Sequence, residues 1–211
     1  MLISKNIQHK IFKGLIFLAF TYFFVLMLRI TLFYVPLDST ANFLAIKQTE
    51  VEERPEYLTI FHIHVYTSIF VLVAGFIALF FNKSLKKIHR WSGRVYVILT
   101  LVFSSISGIY MAFFANGGIP AKISFVILGL LWFYSTYRAY QEVRNRNIMN
   151  HRHWMWRSYA LCFSAVTLRL WKVILVYLFH PNPMDVYQVI AWLGWIPNIL
   201  FVEYLILKNK K

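Results

Sequence analysis

Six apolar runs, each long enough to cross a bilayer, fill nearly all of this chain, and no other feature constrains its fold as strongly. A hydrocarbon core of about 30 Å needs roughly 20 apolar residues per helix. Residues 11–35, 59–82, 94–115, 120–142, 158–179 and 185–207 meet that length. The stretches between them leave no room for a soluble domain, so residues 1–211 are expected to form one all-α, six-helix transmembrane domain. The composition agrees, because 59% hydrophobic residues, 19% aromatic residues and a mean hydropathy of +0.58 lie far from a soluble globular chain. The first run follows Lys5, Lys10 and Lys13 as a signal peptide would. Its length, Arg29 and the lack of a small-residue cleavage site make it a retained span.

A formal net charge of +14 could suggest nucleic acid, but the distribution of charge argues for orientation instead. Bases crowd the N-terminal tail, the connection with Lys83, Lys86, Lys87, Arg90 and Arg94, the connection with Arg144, Arg146, Arg152 and Arg157, and the tail with Lys208, Lys210 and Lys211. The alternate connections carry Asp38, Glu50, Glu52, Glu53, Glu56 and Asp185 with few bases. By the positive-inside rule both termini are expected in the cytoplasm and the chain in the cell (inner) membrane as a multi-pass protein. Anionic inner-leaflet lipids are then the natural partners of the basic rim, with no role for nucleic acid. Cys162 is alone inside the fifth run, which excludes a disulfide framework and a cysteine metal site.

The first outer connection is long and is expected to hold a short surface helix around Ser39 to Ile46; the others are tight turns at Asn116 to Gly118 and at the HPNP of residues 180–183. Helices two and three, and helices four and five, therefore form hairpins turning at the cytoplasmic side. Those turns resemble one another. His89-Arg90 is followed by Arg94 and Tyr96, and His151-Arg152 by Arg157 and Tyr159, with the second copy one residue longer. This reads as a duplicated hairpin related by an axis along the membrane normal, with His89, Arg90, Arg94, His151, Arg152, Trp154, Arg157 and Tyr159 as candidates at a shared rim.

Helices in lipid associate by close van der Waals approach, so stripes of small residues mark their packed faces. Ser104, Gly108 and Ala112 form such a stripe on helix three. Ser158, Cys162 and Ala165 form another on helix five, and Arg169 and Lys172 continue it. On helix two His64, Ser68, Val71 and Gly75 share a face, and His62 points about 160° away. Arg169 lies near the midplane, with His64, Lys172 and Arg29 in the outer half. Glu142 and Glu203 lie near the cytoplasmic ends, so no carboxylate stands at the depth of these cations. Arg29, His64, Arg169 and Lys172 are therefore candidates for holding an anionic or electron-rich ligand: a quinone, a haem propionate, a lipid phosphate or a transported anion. The alternative is that Lys172 and Arg29 snorkel to the interface and Arg169 caps backbone carbonyls. A bis-histidine haem b needs two imidazoles at one depth on different helices. His64 has no such partner, whereas His89 and His151 or His153 could meet at the rim. No acidic or cysteine ligands accompany the histidines, so no metal site is expected. Phosphate-loop, HExxH and GxSxG patterns are missing.

The runs HVYTSIFVLVAG from His64, HRWSGRVYV from His89, the pair Gly117-Gly118 and HRHWMWRSYALCFSAVTLRLW from His151 resemble a family of bacterial membrane proteins designated domain of unknown function 2306. The likeness covers about residues 59–180. It implies the helical membrane fold and no particular reaction. Ser164 stands where the pattern has alanine, and His62, His153, Lys172 and Arg29 fall outside it. The expected function is a membrane redox or ligand-binding component handling a quinone or haem in the core of helices two to five. A small-anion transporter, or a structural or assembly factor binding lipid or a partner subunit, is the alternative.

Overall fold

The computed structural model describes residues 5–35, 37–81, 85–180 and 182–209. Pro181 of the HPNP turn and the bases Lys83, Lys210 and Lys211 lie outside them. The first span is α1 (Lys5–Leu32). After it the long connection forms a 3-10 turn (Asn42–Ile46) and a short helix, α2 (Gln48–Glu53). Pro55 then opens the second span, α3 (Pro55–Phe80), at a position where its missing N–H leaves no hydrogen bond unmade. The third span joins α4 (Lys86–Leu99) to α5 (Ser105–Ala112) through a π turn at Thr100–Ser104, and the fourth is α6 (Gly118–Arg144).

The last two spans are both broken. α7 (Ile148–Cys162) and α8 (Ser164–Phe179) meet at Phe163 with a bend of 40°. A bend of that size leaves the halves running the same way, so together they make the fifth span. α9 (Pro183–Leu193) and α10 (Ile196–Lys208) compose the sixth around Gly194 and Trp195. α9 packs on α8 and α10 on α7, the arrangement of two antiparallel spans each broken near its middle. Six crossings bring both termini to one end of the bundle.

Two helix starts differ from the sequence expectation. The basic motifs lie on helices rather than in connections, since α4 begins at Lys86 and α7 at Ile148. The connection before α7 is a tight turn with Arg146 in the left-handed region at φ 60°, and the Asn147 side chain caps the new helix by accepting from Asn150 N–H at 3.2 Å. Polar side chains can begin a helix at the membrane surface because its first turn faces headgroups rather than hydrocarbon.

Spans two to five form the centre, α1 packs on α3, and the sixth span lies against α6 and α7. Val71, Leu72, Tyr96, Trp132 and Leu161 meet in the core. Several of its polar groups hydrogen-bond to one another, as suits a bilayer interior. Trp132 Nε1–H donates to Tyr96 Oη at 3.2 Å, and Ser158 Oγ lies 2.7 Å from both Tyr96 Oη and Thr136 Oγ1, which joins α4, α6 and α7. Ser124 Oγ donates to Ala191 O at 2.7 Å and accepts from Trp195 Nε1 at 2.9 Å, fixing the sixth span to α6.

A candidate ligand-binding cavity

A cavity of about 530 Å³ opens among α1, α3, α5, α6 and α8, in the half of the bundle away from the termini. It follows from the break at Phe163. Beyond that residue α8 leans on α9 and leaves the space that a straight fifth span would fill. The walls are largely apolar, with Met27 and Ile30 of α1, Leu72 of α3 and Trp132 of α6. His64, Ser68, Arg169, Lys172, Tyr34 and Tyr187 supply polar atoms, as do Thr31, Tyr57, Ser105, Asn116 and Ser164, and among the described residues no Asp or Glu lines the space.

His64 is held in one tautomer. Its Nδ1 lies 2.9 Å from Ser104 O, and a carbonyl can only accept, so Nδ1 carries the hydrogen. The Ser107 hydroxyl lies 3.3 Å from the same nitrogen. The imidazole rests against Gly108, where an added Cβ would stand 2.9 Å from His64 Cε1. Nε2 is left as a bare acceptor with no protein partner among the described residues. A backbone carbonyl that orients one ring nitrogen while the other faces a cavity is the arrangement of a histidine that receives a proton or ligates.

Arg169 reaches the cavity from α8. Its Nη1 donates to Ala165 O at 2.7 Å, the carbonyl one turn earlier, so part of the guanidinium does cap its own helix. No carboxylate partners it among the described residues: the ion pairs Lys47–Glu50, Arg138–Glu142 and Arg157–Glu203 all lie elsewhere. Tyr34 and Tyr187 stand close enough to interact with its charge. Lys172 Nζ lies 5.4 Å from the centre of the Tyr187 ring, a cation–π contact. On α3 the buried Ser68 Oγ has no hydrogen-bond partner among the described residues. A guanidinium with free donors, an ammonium, an imidazole acceptor and an orphan hydroxyl thus converge on one apolar space. That set suits a ligand with electron-rich oxygens on an apolar body.

Three of the four ligand candidates, His64, Arg169 and Lys172, line the cavity together, and Arg29 does not. Arg29 is exposed on α1, one position from the wall residue Ile30, so its side chain leaves in another direction. His62 is buried on the opposite face of α3, with Nδ1–H donating to Leu58 O at 2.8 Å. Among the described residues His64 is the one imidazole that lines the cavity. No group of three or more His, Cys, Asp or Glu side chains among the described residues is placed to hold a metal ion.

The rim candidates are dispersed among packing roles. His89 Nδ1–H donates to Ala78 O, and His151 Nδ1–H to Ala139 O, each at 2.8 Å. Each histidine thereby ties the start of one helix to the end of its hairpin partner, across 11 residues in the first hairpin and 12 in the second. Arg94 lies over Trp91 and Arg152 over Trp156, both at 5.3 Å, while Arg90 is exposed. Arg157 grips Glu203 of α10 with two hydrogen bonds, Nη2 to Oε2 being 2.9 Å, and sits 4.6 Å over Trp154. Tyr159 Oη donates to Leu72 O at 3.2 Å.

Sequence reasoning missed Tyr34, Tyr187 and Ser68 as cavity residues, and Asn198 as a structural one. The tyrosines sit at span ends, where an interfacial anchor looks the same in sequence. Asn198 did carry a signal, being an amide deep in an apolar run.

The fold and cavity define a polytopic α-helical membrane protein with a cationic pocket between its spans. Residues 61–206 match the family described as predicted membrane protein (DUF2306), and the chain belongs to that family. The match runs on through the sixth span, beyond the 59–180 core legible in the motifs. No curated protein and no solved structure matches the chain.

Proposed function

We propose that the protein is a ligand-binding component of a membrane redox system that holds a quinone or its quinol in the α1–α3–α5–α6–α8 cavity. The observation that carries this reading is the convergence of Arg169 and Lys172, which no carboxylate among the described residues pairs, with the bare Nε2 of His64 on a mostly apolar space. A quinone carbonyl accepts from the Arg169 guanidinium, and a quinol hydroxyl on the other side of the ring donates to His64 Nε2. Apolar walls take the ring. The lysine and arginine bias supports a cell-membrane location with both termini cytoplasmic and the cavity in the outer leaflet. The exposed bases Arg90 and Arg152 then lie against anionic inner-leaflet headgroups. Transport of a small anion is the second reading, favoured by the same lack of a carboxylate around the two cations.

Arg169 separates these readings from a structural one. Lysine keeps the charge but loses the planar fork that holds two oxygens at once. Mass spectrometry of small molecules extracted from the purified protein should find quinone in the parent chain, less in Arg169→Lys and little in Arg169→Leu, with all three inserted. Added quinone should raise the melting temperature of the parent and leave Arg169→Leu unmoved. Stabilisation by small inorganic anions alone would favour transport. An Arg169→Leu protein that is more stable and keeps its quinone would remove the proposed role.

A further inference from the structure

The cavity lies between a cover at one end of the bundle and a floor at the other, and the packing of its walls has a gap along one side. At the end away from the termini, the connection after α1 folds over it. Leu44 is fully buried there with Tyr34, Tyr57 and Phe61. Lys47, itself 3% exposed, fastens this cover by donating to Phe114 O and pairing with Glu50. Arg54 lies 4.9 Å over the Phe114 ring, and Tyr110 Oη donates to Glu56 at 2.7 Å. At the other end, Trp132, Leu161 and Cys162 form a floor above the Tyr96–Ser158–Thr136 hydroxyl cluster. On the sides, α3 packs on α5 and α5 on α6, whereas α1 packs on α3 and α8 on α9. Helices α1 and α8 both line the cavity, yet among the described residues they are not one of the closely packed helix pairs. The seam runs along apolar stretches of both helices, and beyond Arg169 α8 turns Val173, Val176 and Tyr177 outward as exposed apolar surface.

We propose that this seam is a lateral portal and that the ligand carries a long apolar chain, with its head at Arg169 and His64 and its tail passing between α1 and α8 into the bilayer. The inference rests on the quinone reading of the head and adds the ligand's second half. A water-soluble ligand would have to pass the Leu44–Lys47 cover, whereas a lipid-soluble one arrives already at the right depth. The cations then sit where an amphiphile needs them. Arg169 meets the head, and Lys172, one turn nearer the covered end, stands beside it without blocking the seam.

Photocrosslinking tests the portal on the intact protein in nanodiscs. One quinone probe carries a diazirine on its ring and a second carries it at the end of a ten-carbon tail, and adducts are located by peptide mass spectrometry. The ring probe should label cavity-wall peptides of α3, α6 and α8. The tail probe should label α1 and α8, and an excess of unlabelled tailed quinone should abolish both patterns. Tail adducts on the 42–53 cover, or confined to the cavity floor, would overturn the portal while leaving the quinone reading intact. Seam labelling displaced by phosphatidylglycerol but not by quinone would do the reverse, keeping the portal and removing the quinone. Labelling that no competitor reduces would remove both.

Discussion

Gly75 shows how closely the central helices approach. A Cβ built there would stand 2.5 Å from the Tyr159 ring and 2.8 Å from the Tyr96 ring, inside any real contact distance. Two tyrosines from different hairpins thus close over one hydrogen atom, and helix contact in lipid depends on such approach. Gly75→Ala is expected to cost about 1–3 kcal/mol as overpacking, read as a lower melting temperature in detergent. In a Tyr159→Ala background the same change should cost much less. Equal losses in both backgrounds would mean that the rings are not what the methyl meets. At this scale the sequence was legible where chemistry stands out against hydrocarbon. Arg169, Lys172 and His64 are polar groups in apolar runs, and their face follows from helical spacing. Gly75 could be placed on the packed face, but the rings that need it come from 21 and 84 residues away in the chain, and no local pattern reports them.

Among the elements, the paired breaks in spans five and six depend on one amide. Asn198 Nδ2 lies 3.2 Å from Ala160 O, 2.9 Å from Thr167 Oγ1 and 3.2 Å from Gly194 O. Thr167 Oγ1 in turn donates to Gly194 O. Backbone groups loosened by the breaks at Phe163 and Gly194 are therefore satisfied from the neighbouring span, the condition on which irregular backbone persists in a membrane. Asn198→Leu should destabilise the protein by about 1–3 kcal/mol, because buried carbonyls lose their donor. Thr167→Val should cost less, since it leaves the amide in place. Unfolding in detergent reads both, and a neutral Asn198→Leu would show that the breaks need no polar support. The bend at Phe163 was not legible, because neither proline nor glycine marks it. What produces it is tertiary: α8 leans on α9, and Gly194, whose Cβ would stand 3.0 Å from Leu168 Cβ, allows the approach. The rim motifs were found but placed in loops, because their charge outweighs their helical spacing to a reader of composition.

For the whole molecule, six spans were legible because hydrocarbon thickness imposes helix length directly, while the cavity arises from how spans meet and was not. Orientation remains a matter of charge, and it is open to a direct test. Reporter fusions after Arg146 should read as cytoplasmic and fusions after Glu53 as external. A cytoplasmic signal at Glu53 would invert the bundle and move the cavity to the inner leaflet. The matching histidine caps reach further than local stability. A unit of two spans begins and ends on the same side of a membrane, so a second copy placed in tandem inserts in the same orientation as the first, with no extra crossing to reverse it. Two units related in that way would face each other about an axis along the membrane normal. His89 to Ala78 and His151 to Ala139 are one clasp made twice. Away from that clasp the two hairpins differ: the first carries His64 at the cavity, and the second runs on into the bend at Phe163 beside it.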